Sequence, residues 1–489
     1  MSRPRPLAAA IVLYRRVPAL EIYWVRRSDG LAFLGGFHAF PGGRLVEEDR
    51  EAGADPLVAC AVRETFEETG VLLARGARRV PRERRDEARK EMLEDRLRLP
   101  AFLAAESLVL EAQDFTPAGR WIAPPFSPGG FDTQFFLAEL PDSESPDVWP
   151  GELAEGEWIT PAEGLARWRA NRAMLAAPAL YLLRELSARP DASAKEWGEA
   201  LARPEEARGG YVPRIEVHPG FVLVPVRTPT LAPATHTNCL LIGGSEILIV
   251  DPGSPYPDEQ DALDAAIDRL TEGEGRSVRG IFVTHHHADH WGGVDRLRAR
   301  LGVPVLAHAY TAPFCRADEI LEGGETIALA PAPVDRPWNL EVLFTPGHTP
   351  GHLALFDRIS GTIVAGDLVS GLSTIVIDPP EGDMAQYVAS LARLLDLPAT
   401  LILPGHGPPI GAPGHRLRAL IAHREWREGR VLEALAAGPS TIEDMLPSVY
   451  ADTPADRHGL AARSALAHLL KLQKENRVRE GAEGRWQLS

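Results

Sequence analysis

Thr284-His285-His286-His287-Ala288-Asp289-His290, followed at once by Trp291-Gly292-Gly293, is the stretch on which the reading of this chain turns. The run before it, Ile281-Phe282-Val283-Thr284, is β-branched and aromatic and reads as a short buried strand. His285 and His287 are two apart in extended backbone, so their imidazoles leave on the same side. Asp289 and His290 fall where the strand gives way to a turn and a helix expected over Val294 to Leu301. A set of nitrogens and carboxylates suits borderline-soft divalent metals, zinc above all. A polar loop rich in histidine by accident would need no sequel, but three follow. They are His348 in Thr345-Pro346-Gly347-His348, Asp367 in Ala365-Gly366-Asp367, and His406 in Pro404-Gly405-His406-Gly407. Each trails an apolar run (residues 342–344, 362–365 and 401–403), so ligands at successive strand ends can meet on one rim of a sheet.

At these residues the chain resembles the metallo-β-lactamase superfamily, whose pattern is H-x-H-x-D-H followed by a His, an Asp and a His. The resemblance implies that His285, His287 and His348 hold one metal and Asp289, His290 and His406 a second, with Asp367 bridging. It also implies a catalytic part for Asp289, two zinc ions, and an αββα sandwich with the site at one edge. Water shared by two such metals attacks an ester or phosphodiester centre near neutral pH.

A chain of 489 residues is too long for one ordinary core, and two or three domains are expected. Its 45% hydrophobic content is that of a globular protein, and a formal net charge of −16 argues against a nucleic-acid binder over its whole surface. Cys60, Cys239 and Cys315 are scattered and odd in number, which fits a reducing cytosol better than a disulfide framework. The early apolar run, residues 7–14, lacks a small-residue cleavage site and reads as a first strand. No stretch is apolar enough for a bilayer, so a cytoplasmic location without membrane partners is expected.

In the N-terminal third, residues 8–25 read as two strands around Arg15-Arg16-Val17-Pro18. Phe40-Pro41-Gly42-Gly43 follows, and then a helix over Pro56 to Thr69 with Gly70 as its C-cap. Glu64, Glu67 and Glu68 share one face of that helix and repel one another unless a cation sits among them. Hard oxygen ligands imply Mg²⁺ or Mn²⁺ beside substrate phosphates; a solvated acidic face is the plain alternative. Arg63-Glu64-Thr65-Phe66-Glu67-Glu68-Thr69-Gly70-Val71 resembles the second half of the Nudix box, with Thr65 at a position usually bulky and apolar. The first half departs: Asp49 stands for the expected Glu, with Glu48 beside it, and the spacer to Arg63 is long. Arg120-Trp121-Ile122-Ala123-Pro124-Pro125 and the run 131–138 resemble later strands of the Nudix subfamily linked to coenzyme A and acyl-CoA diphosphate hydrolysis. The resemblance implies an α/β/α sandwich over residues 5–187, with Glu67 and Glu68 in catalytic roles. The Arg-rich stretch 74–99 reads as an exposed helix laced with i,i+4 pairs, in preference to a phosphate-binding helix.

Pro190, Pro204 and Gly209-Gly210 mark a linker over 188–213. The metallo-β-lactamase-like domain then runs over 214–415. In it Asp251 reads as a residue that orients a ligand, and His236, His286, His308 and His352 as histidines satisfied by their surroundings. The tail, 416–489, is helical and mildly basic. A helix starting at His423, a capping box at Ser440-Thr441-Ile442-Glu443, a third helix over 463–473 and strand-like ends at 478–479 and 486–488 make a winged-helix pattern. It resembles the tail of the lactamase-like endoribonucleases.

These readings combine into an α/β multidomain fusion whose middle domain is a metal-dependent hydrolase of single-stranded RNA or of a thioester. On the RNA reading the tail is dispensable for small esters. The motif also resembles iron-dependent persulfide dioxygenases of the superfamily. The Nudix half is either a hydrolase of a nucleoside diphosphate derivative such as coenzyme A or a ligand-binding module, and a homo-oligomer is allowed. The metal motifs contain no lysine, and nothing resembles the antibiotic-binding sequence of true lactamases, which makes β-lactam hydrolysis a minor option.

Overall fold

The computed structural model describes residues 5–31, 33–124, 130–202, 215–331 and 336–489. The chain divides into two compact units after Pro219. Among the described residues no helix is long and apolar enough to cross a membrane.

In the first unit, strand Leu7–Arg16 lies between its antiparallel partner Leu20–Arg27 and a parallel partner Asp132–Glu139, with Thr116–Ile122 beyond. Both faces of the central strand are buried, and its side chains alternate between two cores. Ala9, Ile11 and Leu13 meet Val58, Val62 and Phe66 of helix Pro56–Thr69. Ala10, Val12 and Tyr14 meet Leu165, Leu182 and Leu183 of helices Pro161–Arg169 and Ala177–Ala188. This is the expected α/β/α sandwich. The helix carrying the glutamates has sharp ends. Asp55 accepts hydrogen bonds from the amides of Leu57 and Val58, Pro56 opens the first turn, and Gly70 closes the last at φ 72°.

Two readings of this half change. Residues 188–213 are not a linker throughout: Ala194–Leu201 is a helix with a Ser193/Glu196 capping box. Its Trp197 is fully buried, edge-on to Tyr14 at 5.5 Å. Pro190 and the polar residues near it end one helix and cap the next; Pro204, Gly209 and Gly210 lie outside the described residues, as does Pro125. The Arg-rich stretch is not wholly solvated either. Helix Arg82–Leu93 buries Arg89, whose guanidinium donates to the carbonyls of Glu67, Glu68 and Asp147 at 2.9, 2.8 and 2.9 Å. It thereby satisfies acceptors that the end of the glutamate helix leaves open. Burial pulls the Arg89 pKa down to about 10, so the group stays charged.

The second unit holds two mixed sheets. The first runs from the hairpin His236–Gly243 and Glu246–Val250 through the parallel strands Ser277–Val283 and Val305–Ala307. Helices Pro257–Thr271 and Val294–Leu301 supply Leu263, Ile267 and Leu297 to its core. The second contains Trp338–Phe344, Leu353–Asp357, Thr362–Gly366 and Leu401–Pro404, backed by helix Met384–Leu395. Phe221 in the strand beside the first hairpin meets Trp338 of the second sheet at 5.4 Å between ring centroids.

The tail has the expected three helices and hairpin, with shifted starts. The first helix is Pro413–Ala436, ten residues earlier than His423, because Pro413 is suited to a first turn. The N-cap of helix Ile442–Val449 is Thr441, bonded to the Asp444 amide, rather than Ser440, and the last helix opens at His458. The long helix serves two cores. Leu417 and Leu420 pack with Met384, Leu391 and Ile402 of the second sheet's core. Val431 and Leu435 pack with Met445, Leu469 and Trp486. The tail's first helix is therefore part of the second sheet's core. Ending the chain before Arg416 strips two buried leucines worth roughly 1.5–3 kcal/mol each from the lower core, and this truncated protein is expected to be insoluble or to lose its cooperative thermal transition.

A candidate metal centre and an acidic helix

Strand Ser277–Val283 ends at a buried carboxylate. Asp251 accepts from the Thr284 amide, the Thr284 hydroxyl and the His290 Nδ1–H, each at 2.8 Å. It does so at φ 51°, a left-handed conformation that aspartate tolerates better than most residues. The Asp251-Pro252-Gly253 turn presses against the histidine loop, and a methyl group at Gly253 would fall 1.7 Å from the Asp289 carbonyl oxygen. Only glycine allows that approach. Asp251 thus fixes the His290 ring and the backbone at Thr284.

All seven motif residues meet at one place. His285 Nε2 and His348 Nε2 each stand 3.0 Å from His287 Nδ1. His406 Nε2 lies 3.3 Å from Asp367 Oδ1 and 3.5 Å from Asp289 Oδ2. His290 Nε2 is 3.5 Å from Asp367 Oδ1 and His348 Nε2 is 3.8 Å from Asp367 Oδ2. The ligand atoms fall into the groups His285/His287/His348 and Asp289/His290/His406, with Asp367 close to His285 and His290. The other ring nitrogen of each outward-facing histidine is already engaged. His285 Nδ1 meets the Thr284 hydroxyl, His348 Nδ1 the Val376 carbonyl and His406 Nδ1 the His236 carbonyl, at 3.0, 3.0 and 2.8 Å. Each ring is thereby held with Nε2 toward the centre. His290 Nε2 and Asp367 Oδ1 are buried with no hydrogen-bond partner, a costly state for polar atoms unless a cation lies between them. This donor set fits two divalent ions.

The electrostatics agree. Burial holds His285 well below the usual histidine range, takes His287 down to about 3, and also lowers His348, so these three are neutral nitrogen donors at physiological pH. His290 and His406 are buried too, yet Asp367, joined at His290 by Asp251 and Asp289, overcomes that effect and raises both. Asp367 is held well below the ordinary carboxylate range: burial opposes ionisation, but His406 and His290 outweigh it. Asp367 places negative charge where a bridged metal pair would sit, and a bound cation would displace the protons that its field holds on His290 and His406.

The remaining histidines divide. His352, fully buried, accepts from the Asp367 amide at 3.1 Å and meets the Thr345 hydroxyl at 2.8 Å, which fixes the Asp367 backbone. His308 stacks on Phe344 and lies 3.3 Å from Glu322, and His236 Nδ1 meets the Thr235 hydroxyl. His286 packs on Phe314 and reaches Glu381 at 3.1 Å, forming a further close trio with His287.

The loop that orients His348 is held from the tail. Arg416 donates to the carbonyls of Ser370 and Ser373 at 2.8 and 2.9 Å, and Arg424 to that of Ile375 at 2.5 Å. Val376, the next residue, accepts from His348. Neither arginine was singled out from sequence, because nothing local marks a helical arginine that bonds to a loop some 45 residues earlier. A cleft of about 580 Å³ opens over the centre. His287, Asp289, His348, Asp367 and His406 form one side, the 229–234 loop another, and Arg424, Tyr450 and Arg457 of the tail the far wall.

On the glutamate helix of the first unit, Arg63 is the hub. It bonds Asp49 through Nε at 2.8 Å and Nη2 at 3.2 Å, and Nη1 lies 2.9 Å from Glu64 and 3.2 Å from Glu67. Asp49 is fully buried and also accepts from the Val46 amide, whereas Glu48 stands 3.7 Å from Arg63. Asp49 therefore fills the irregular first acidic position, as an anchor for Arg63. Glu68 accepts from the Gly42 amide at 3.0 Å, which ties the Gly-Gly turn to the helix. Burial raises all three glutamates, Glu67 to about 7 and Glu68 well above its ordinary value, with Glu64 adding repulsion to both. Among the described residues their carboxylates do not form a close trio of the kind the histidines do.

Comparison with known proteins gives three family matches. The model described as Metallo-beta-lactamase superfamily matches residues 232–406, that of the Beta-lactamase associated winged helix domain 441–486, and that of the NUDT19 Nudix domain 56–186. The chain is 30% identical over 253 residues to the Beta-lactamase-like protein 2 homolog of Drosophila melanogaster, covering 50% of this chain and 84% of that protein. It is 37% identical over 171 residues to the hydroxyacylglutathione hydrolase of Dechloromonas aromatica (strain RCB), covering 34% of this chain and 56% of that protein. A crystal structure of a NUDIX hydrolase from Alicyclobacillus acidocaldarius aligns with 41% of this chain and 98% of its own, at 29% identity and a TM-score of 0.36.

Asp251→Asn keeps the size of the hub but removes its charge. Metal affinity measured by equilibrium dialysis is expected to fall about 10–100-fold, as for other groups that orient a metal-bound histidine.

Proposed function

The chain belongs to the metallo-beta-lactamase superfamily, and on that premise we propose that its histidine centre is a dinuclear zinc site hydrolysing an acyl thioester. The observation that carries the reading is the cleft. Its 580 Å³ suits one small-molecule substrate lying between the ligand cluster and the tail. The hydroxyacylglutathione hydrolase among its relatives is named for thioester chemistry, which supports the same choice.

The alternative substrate, single-stranded RNA, draws less support. A strand-binding tail needs free cations to follow the phosphates. Here Arg430, Arg463, Lys471, Lys474, Arg477 and Arg485 each lie within 4.0 Å of a carboxylate. Those cations are largely spent on holding the tail together and to the second sheet.

His285, His287 and His348 would hold one ion and Asp289, His290 and His406 the other, with Asp367 between. Bound there, the pair supplies Lewis acidity and a water acidic enough to be a nucleophile near neutral pH. Asp289, only partly exposed in the cleft, would orient that water and hold its proton. His352 would keep Asp367 in place through the Asp367 amide.

For the first unit we propose Mg²⁺- or Mn²⁺-dependent hydrolysis of a nucleoside diphosphate derivative such as coenzyme A. Glu64, Glu67 and Glu68 would bind the ion and Glu67 and Glu68 would place the attacking water. The raised carboxylate pKa values fit a site awaiting a cation, since a divalent ion favours their charged forms.

Metal analysis of the purified protein should return about two zinc ions per chain. About one iron would favour the persulfide dioxygenase reading. In a panel of thioester, RNA, lactone and coenzyme A substrates, thioesters should be cleaved, and RNA cleavage without thioester cleavage would sink the proposal. Asp367→Asn should collapse that activity in a folded protein.

The two chemistries should also separate. Glu67→Gln with Glu68→Gln is expected to abolish diphosphate cleavage and spare thioester cleavage. His285→Ala with His287→Ala should do the reverse. Diphosphate cleavage that persists in the first double variant would make the Nudix half a binding module.

A further inference from the structure

We propose that the tail-side wall of the cleft is an oxyanion subsite, built on Arg424 and Arg457, that selects substrates carrying a carboxylate or phosphate away from the scissile bond. The inference deepens the thioesterase reading and rests on it for the identity of the reacting bond.

Arg424 is 4% exposed and lines the cleft. Its guanidinium donates to the Ile375 carbonyl and lies 5.2 Å from the Tyr387 ring, but no carboxylate comes within ion-pair distance among the described residues. Its Nε is buried without a partner. A buried cation left without a counter-charge is expensive, and proteins ordinarily pair it. One helical turn on, the same helix does so. Arg427 is equally buried, and its Nη1 and Nη2 meet the two oxygens of Asp452 at 2.8 and 2.9 Å.

Arg457 adds a second, independent sign. It is exposed on the same wall and has no carboxylate partner among the described residues, whereas Arg463, Lys471 and Lys474 of the following helix are all paired. His423, also on this wall, has a buried Nδ1 without a partner. The cleft's own carboxylates are committed elsewhere, Asp289 and Asp367 among the metal-ligating groups and Asp452 to Arg427. The wall is thus cationic, with guanidinium groups suited to forked contact with carboxylate or phosphate. An oxyanion bound here leaves the other end of the substrate toward the metal ligands.

The test compares matched thioesters: succinyl against butyryl on one thiol, and one acyl group on thiols with and without a phosphate. The first pair reports an oxyanion on the acyl half and the second on the thiol half. In the native protein kcat/KM should favour the charged member of one pair. Arg457→Glu should lower that preference by about tenfold, mostly through KM, as expected when a charged contact is reversed. Arg424→Gln should lower it too, with metal content measured to show an intact centre. Arg479→Glu, the same charge change on the exposed hairpin, is the control for long-range charge.

The proposal is overturned if Arg457→Glu leaves the preference unchanged or if Arg479→Glu lowers it equally. Should no thioester be turned over, the functional reading fails by itself, and calorimetric titration with inorganic phosphate still decides the subsite. Weaker binding in Arg457→Glu than in the native protein supports it; equal binding overturns it.

Discussion

The second unit depends on a single buried carboxylate. Asp251 takes three hydrogen bonds from Thr284 and His290, and through them sets where strand Ser277–Val283 stops and the histidine loop begins. Removing one partner from such a network leaves an uncompensated charge in the interior, at a cost of about 3–5 kcal/mol. The fold accepts a left-handed aspartate and a glycine pressed onto the Asp289 backbone to keep this contact. The rest of the centre repeats the arrangement on a smaller scale, with a hydroxyl or carbonyl behind each Nε2-presenting ring. Gly405 is another case: a methyl group there would lie 2.5 Å from Asp367 Oδ1, so the approach of the segment after strand Leu401–Pro404 to this carboxylate also requires glycine.

Buried arginines do the corresponding work elsewhere. Arg63 gathers Asp49, Glu64 and Glu67 around one guanidinium, and Arg89 closes the far end of the same helix. Arg416 and Arg424 hold the loop that orients His348. At Arg63, Arg89 and Arg416 the planar guanidinium serves several backbone or carboxylate oxygens at once, which a lysine could not do with the same geometry. Acidic helix faces and histidine-rich loops are costly to assemble without cations, and these arginines lower that cost.

What could be read from sequence was local. The H-x-H-x-D-H loop follows an apolar strand directly, and Pro56 and Gly70 mark the ends of the glutamate helix within the window where helix signals act. Asp251 was legible because an acidic residue at the end of an apolar strand has few reasons to be there. The departures share another cause. Ala194–Leu201 sits among turn residues and shows itself as folded only through the burial of Trp197. Arg89 lies in a run of arginines that looks uniformly solvated, and its role comes from carbonyls 21 and 22 residues away. The first ten residues of Pro413–Ala436 were missed because Pro413 and Gly414 resemble a loop. Contacts made across the fold leave no periodic trace in the chain.

The long helix has a further consequence, for how this chain can vary. Its inward residues run Leu417, Leu420, Arg424, Arg427, Val431 and Leu435, in steps of three and four, so one stripe addresses the lower core, the cleft wall and the upper core in turn. The three are locked in phase. A single residue inserted between Leu420 and Val431 would rotate everything beyond it by about 100°. Val431 would then point away from its core, and the cleft wall would swing off the centre. Lengthening is tolerable only in whole turns, and exchanging tails between relatives succeeds only where the crossover preserves the register of this helix. The joint between catalytic domain and tail is therefore a continuous rod, on which the exposed positions are free to vary while the inward stripe and the length are not.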